Sequence, residues 1–242
     1  ALGFSEVSNG AFDPTVGPLV NLWGFGPDAG VEALPSEAVI GEAKSQVGFT
    51  AISVRAPETD GGSAIRKSVQ RRLDLSAIAK GLGVDQVYRL LDDQGYANFL
   101  VEIGGEVRVK GDKDGLGWKI AVEKPIKGER AVEQLLSLKN VALATSGDYR
   151  NYREIDGVVF SHTIDPSTGR PVTHQLASVT VADSECEMAD GWATTLLVLG
   201  PEKGFELAVA RNLPAMFIER FNDEFLVKQT PRFERLLAGD IE

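Results

Sequence analysis

"NFLVEIGGEVRVKG", residues 98–111, sets how the chain is to be read. It is strand, Gly-Gly break, strand, with apolar and β-branched residues on both sides of the paired glycines. More strand material follows in "WKIAVEKP" (118–125) and "LLSLKNVALATSG" (135–147). "GVVFSHTIDPSTGRPV" (157–172) is a strand ending in a Pro/Gly turn, and "QLASVTVADS" (175–184) alternates well enough for another. "PAMFIERFNDEFLVKQT" (214–230) reads as a closing hairpin with Asn222-Asp223 in its turn. Helical spacing marks 36–45, 75–95, the stretch "EMADGWATTLLVLG" (187–200) and about 202–211. The helix over 75–95 is the clearest, with Ser76 as a candidate N-cap and Gly95 as a stop. Helices come in two blocks rather than alternating one for one with strands, which favours α+β over a doubly wound sheet. "VGFTAISVR" (47–55) is strand-like, and the Gly- and Pro-rich segment 12–30 reads as loop and short turns.

Composition narrows the function. The chain has 242 residues, 43% hydrophobic and 25% charged, ordinary for a globular protein of one large domain or two intimate halves. Its formal net charge of −10 argues against a nucleic-acid or anionic-membrane partner, since phosphates are held by clustered Lys and Arg. The short run "RKSVQRR" (66–72) is too small to reverse that balance and reads as a solvated loop. Cys186 stands alone, so neither an internal disulfide nor a multi-Cys zinc site is expected. With only His162 and His174, a metal here should be an oxygen-loving one. No run of ~18 apolar residues appears.

Several segments carry polar groups that could do chemistry. Asp190 and Thr194 lie four apart and share one helix face, near the start of an otherwise apolar helix. Dipole compensation and local hydrogen bonding would account for them, and so would an oxygen-ligand site for a hard metal ion. Asp74 and Ser76 precede the long helix, where ordinary capping is expected; the same helix start, with Lys80 nearby, could meet a phosphate. The Gly-Gly pair is either a tight bend or a place where a ligand comes close to backbone. "SHTIDPSTGRP" (161–171) is the most compact polar group, with His162 and Asp165 bracketing a strand end, although a lone histidine commonly has a structural role. His174, in a polar loop, reads as structural. "GFGPDAG" (24–30) has the wrong spacing for a dinucleotide fingerprint, and "TSGDY" (145–149) is no nucleophile elbow.

Taken in series, "GAFDPTVGPLVNLWGFG", "DLSAIAKGLGVD", "VEIGGEVRVKG", "TSGDYRNY", "SHTIDPSTGRPV" and "ADGWATTLLVLG" resemble the ApbE family of flavin transferases, over about residues 9–210. The resemblance implies an α+β fold of largely antiparallel sheets packed with helices, ApbE-like (T-fold-like), as a single domain over 1–242. It implies Mg²⁺-dependent transfer of FMN from FAD to a Thr or Ser hydroxyl of an acceptor protein, with release of AMP. By the same resemblance, Ala11, Phe12, Asp13, Asp74, Lys80 and Ile164 contact the nucleotide. Ala77 (through its carbonyl), Glu187, Asp190 and Thr194 bind the metal. His162 is the general base, with Asp165 to orient it. Family members usually carry a Met-Gly-Thr strand ahead of this region, and the domain expected here lacks that segment. The family also implies a periplasmic or exported location, or an inner-membrane lipoprotein held by a lipid anchor outside this chain. An FAD pyrophosphatase and a flavin-binding protein without turnover are the competing readings.

Overall fold

The computed structural model describes residues 1–27, 33–55, 62–126, 128, 129, 131–155, 157–222 and 224–239. They fall into two units: Ala1–Leu75 with Arg153–Val172, and Ser76–Tyr152 with Thr173–Glu242. The fold is mixed helix and antiparallel sheet, as the order of segments predicts.

The first unit opens with helices α1 (Leu2–Val7), α2 (Gly17–Leu22) and α3 (Glu37–Ser45), followed by strands β1 (Ile52–Arg55) and β2 (Ala64–Lys67), paired antiparallel. Helix α2 corrects the expectation of loop over 12–30. Pro18 is tolerated at its start, where a backbone N–H has no helical partner to lose, and the short helix buries Leu19. The turn expected at 24–30 lies partly outside the described residues. The strand expected over 47–55 shortens to β1 after a 3-10 turn at Phe49–Ala51. The reason is local: the N–H groups of Gly48 and Phe49 donate to the side chains of Thr15 and Asp13, at 2.7 and 2.9 Å, instead of to a strand.

The chain then builds the second unit with helix α4 (Ser76–Asp93) and strands β3 (Phe99–Ile103), β4 (Glu106–Lys110), β5 (Trp118–Glu123), β6 (Val132–Leu138) and β7 (Ala142–Gly147). β3 and β4 form a two-residue hairpin in which Ile103 faces Glu106. Gly104 and Gly105 both have positive φ, +63° and +105°, the backbone such a turn requires. After β8 (Tyr152–Ile155) and β9 (Val158–Ser161), the first unit is completed by the short pair β10 (Ile164–Asp165) and β11 (Arg170–Pro171). Leu19, Trp23, Ile40, Ala43 and Ile164 make its buried core.

The last stretch adds β12 (Leu176–Asp183), α5 (Cys186–Leu199), α6 (Pro201–Ala210), β13 (Ala215–Phe221), β14 (Glu224–Gln229) and α7 (Pro231–Ala238) to the second unit. Asp223, in the expected hairpin turn, lies outside the described residues. The resulting six-stranded antiparallel sheet runs β14-β13-β12-β7-β4-β3. β12 is central and buried along Leu176–Ala182 on both faces, so its sequence is nearly continuously apolar. One side of the sheet packs on α4 and α5 through Val84, Phe99, Val101, Ala142 and Cys186. The other carries Val109, Leu143, Met216 and Ile218 against Leu136 and Leu138 of β6 and Phe233 of α7.

Candidate active site

The metal-site candidates of the second unit lie on two helices that pack closely, α4 and α5. At Gly81 of α4, a Cβ would lie 2.4 Å from the carbonyl oxygen of Cys186 and 2.7 Å from Cα of Glu187, so α4 meets the start of α5 backbone to backbone. Only glycine allows that approach. The contact sets Ala77 and Lys80 of α4 in the same unit as Glu187, Asp190 and Thr194 of α5.

The packing also decides hydrogen bonding. Here the Gly81 N–H donates to Oδ2 of Asp190 at 3.0 Å. Asp190 is 2% exposed, and its carboxyl is pushed up to about 6 by burial, against the pull of the Gly81 N–H and the Lys80 charge. Thr194 Oγ1 lies 3.0 Å from Ser146 Oγ of β7. The two side chains that share a helix face thus reach different neighbours, one to α4 and one to the sheet.

Asp85, which the sequence reading passed over, holds this junction. It is fully buried, and its Oδ1 accepts from Cys186 N at 3.0 Å and from Arg108 Nη1 at 2.5 Å. Its Oδ2 accepts from Glu187 N at 2.9 Å. Helix α5 makes no side-chain cap of its own, so an acid from α4 satisfies its first N–H groups and meets the positive end of its dipole. The signal available in sequence was spacing: 77, 81 and 85 recur every four residues and put two small residues and one acid on a single face. Glu106 was also missed. It is 1% exposed in a strand, directly after the paired glycines, and pairs with Lys80. Burial raises its carboxyl, and the Lys80 partner offsets part of that rise.

In the first unit the "AFD" segment is built into the structure. Asp13 is buried, and its Oδ1 accepts from the N–H and hydroxyl of Thr15 at 2.8 and 2.6 Å. Its Oδ2 takes the Phe49 N–H, so both oxygens staple the loop. Phe12 is buried with its ring 5.3 Å from that of Phe4, and Ala11 follows in the turn after α1. Asp74 donates its N–H to the Pro14 carbonyl at 2.7 Å, which joins the two nucleotide-contact segments expected from sequence. His162 is partly buried, its ring 6.3 Å from that of Phe25 in an edge arrangement. The Ile164 side chain sits in the core, which leaves its main chain to meet any ligand. Asp165 Oδ1 accepts from Ser167 N at 2.8 Å and shapes the turn between β10 and β11. His174 belongs to the second unit and is structural, as expected: its Nε2 donates to the Leu197 carbonyl at 2.8 Å.

Among the described residues no three His, Cys, Asp or Glu gather into a metal-binding group. Asp190, Thr194 and the Ala77 carbonyl, the groups expected to hold a metal, offer one buried carboxylate, a hydroxyl and a main-chain oxygen, a set poor in charge and made only of hard oxygens. That donor set suits Mg²⁺, which keeps several waters and takes one or two carboxylates plus substrate phosphates.

Comparisons with known proteins bear on the family and the fold. A sequence model of the ApbE family matches residues 1–217. The FAD:protein FMN transferase of Vibrio cholerae is 43% identical over 240 residues, covering 98% of this chain and 70% of that protein. The FAD:protein FMN transferase of Haemophilus influenzae is 44% identical over 239 residues, covering 98% of this chain and 68% of that protein. The crystal structure of the Pseudomonas stutzeri flavinyl transferase ApbE, in its apo form, superposes with a TM-score of 0.85 at 42% identity, covering 98% of this chain and 72% of the other. With the family model matching residues 1–217 and these relatives 43 and 44% identical, this chain belongs to the ApbE family.

Proposed function

We propose that this chain transfers FMN from FAD to a Thr or Ser hydroxyl of an acceptor protein and releases AMP, with Mg²⁺ required. The observation that carries this reading is the α4–α5 junction, where the buried Asp190 carboxylate of α5 accepts from the Gly81 N–H of α4, the helix that also carries Ala77 and Lys80. A buried carboxylate that reaches across to a second helix is the kind of hard-oxygen ligand that a hard cation takes. Relatives that keep this fold are named FAD:protein FMN transferase, which supports flavin chemistry as the use of such a site.

Asp190, Thr194 and the Ala77 carbonyl would hold the metal, with Glu187, whose N–H is fixed by Asp85, at the same helix start. When bound, Mg²⁺ offsets charge on the diphosphate, worth about 4 kcal/mol for unit charges ~4 Å apart at an effective dielectric of ~20. Lys80 supplies positive charge for the phosphates, and its partner Glu106 keeps it near the head of α4. Ala11, Phe12, Asp13, Asp74 and the Ile164 main chain serve the nucleotide, Asp13 chiefly by fixing the loop. His162 takes the proton of the acceptor hydroxyl as that oxygen forms its bond to the FMN phosphorus, while the bond from phosphorus to the AMP oxygen breaks. Asp165 positions the turn that follows. An exported, periplasmic setting, with any lipid anchor outside this chain, is proposed on the family resemblance alone; fractionation of native cells tests it. Among the described residues no helix is long and apolar enough to cross a membrane.

Incubation with FAD, Mg²⁺ and a candidate acceptor tests the function. A fluorescent acceptor band and AMP in equal amounts are expected, and EDTA should abolish both. Free FMN with AMP and no labelled acceptor would make the protein a pyrophosphatase. Intact FAD would make it a binding protein.

A further inference from the structure

Glu106 is 99% enclosed by the protein, the complement of its 1% exposure, and its Oε1 is paired with Nζ of Lys80. Its Oε2 is buried with no hydrogen-bond partner. Lys80 is different: 46% of its side chain is exposed. The pair therefore has one end sealed in protein and one end open to solvent. The Gly104-Gly105 turn roofs it. A Cβ at residue 104 would stand 3.3 Å from Cδ of Lys80 and 3.7 Å from Oε2 of Glu106, so the missing side chain leaves the lysine stem room to lie over the carboxylate. The turn itself is fixed by the Gly105 N–H, which donates to Oε1 of Glu102 at 2.8 Å.

A lysine stem has four rotatable bonds and carries about 2 kcal/mol of rotamer entropy. A buried carboxylate with one oxygen already unpartnered would lose its remaining charge-assisted contact if that ammonium swung away. The contact with Glu106 holds Nζ against that entropy, which an unpaired lysine would lose only on meeting its ligand. We propose that Glu106 is a positioning residue that acts through Lys80: it holds the Lys80 ammonium in one place, so that the phosphates of FAD meet a cation already immobilised. This rests on the functional reading above, in which Lys80 meets the phosphates.

The test is a double-mutant cycle on FAD affinity, followed by flavin fluorescence in EDTA so that binding is read without turnover. Glu106→Asp keeps the charge but withdraws it by one methylene from Nζ. In the chain with Lys80 it should weaken FAD binding about tenfold, the order of one lost immobilised side chain. In a Lys80→Met background the same change should have less than about a twofold effect. Glu106→Gln leaves Nζ only an uncharged acceptor, weaker than the carboxylate, and should weaken FAD binding about threefold with Lys80 in place. Equal losses from Glu106→Asp with and without Lys80 would make the effect structural and overturn the proposal, as would no loss at all. If aspartate at this buried position prevents folding, Glu106→Gln carries the same cycle: a loss that disappears in the Lys80→Met background supports the proposal, and no loss, or an equal loss in both backgrounds, overturns it. Lys80→Met with unchanged FAD affinity would instead overturn the phosphate contact itself, and the proposal with it. A weakened Lys80→Met beside a silent Glu106→Asp overturns the role of Glu106 alone.

Discussion

At the scale of single residues, Asp190 is the group whose chemistry and stability pull in opposite directions. Burial raises its carboxyl from 3.8 to about 6, so the folded chain favours the protonated form. A carboxyl raised on folding contributes stability below its unfolded value, and that contribution is lost as pH rises through the folded value. The gap corresponds to about 3 kcal/mol for the metal-free protein between roughly pH 4 and 6. Melting curves in EDTA should show this loss in the parent and not in Asp190→Asn, which keeps an acceptor for Gly81 N–H. Mg²⁺ should restore stability above pH 6 in the parent only. Asp190→Asn should also lower transfer by about a thousandfold, the scale of one lost charge contact. His162→Ala should keep FAD affinity and slow transfer by about 10²–10⁴-fold, the usual range for a lost general base. A parallel fall in FAD affinity would make His162 a binding group. His162 and Asp190 were legible as sequence positions, because acids and histidines are few in apolar surroundings. Asp85 and Glu106 were not, because a charged residue in a helix or strand gives no sign of burial until its partners are known.

At the scale of elements, the α4–α5 pair is the unit that makes the site, and glycine sets its spacing. Gly81→Ala places a Cβ inside 2.7 Å of the Cys186 carbonyl and carbonyl carbon. Backbone cannot swing aside as a flexible side chain can, so the helices must part. A loss of about 1–3 kcal/mol is expected from urea unfolding, with weaker Mg²⁺ dependence as Gly81 N–H moves from Asp190. Asp85→Ala strips the cap from α5 and leaves Arg108 without its buried partner. A destabilisation of about 3–5 kcal/mol is expected in the same assay, larger than for any surface acid. The existence of α4, α5 and the strands could be read from periodicity, since each has a run long enough to show its period. Helix α2 could not, since six residues around a proline and glycines carry too short a pattern, and burial of Leu19 and Trp23 stabilises it from outside.

At the scale of the whole molecule, a formal charge of −10 makes a direct prediction about partners. The protein should pass unretained through heparin at ~0.15 M salt, because its net negative charge opposes binding to a polyanion. Retention would point to a partner that composition excludes. Composition, strand-rich order and the run of polar segments by themselves determined the α+β class and the family. These depend on residue type and local period, which a linear chain displays openly. Tertiary structure alone decided that the Asp13 oxygens staple a loop, that an acid of α4 caps α5, and that a buried glutamate stands beneath Lys80. Each is a contact between segments made by burial and close packing, and the free energy of such a contact belongs to a pair of places in space rather than to either stretch of sequence.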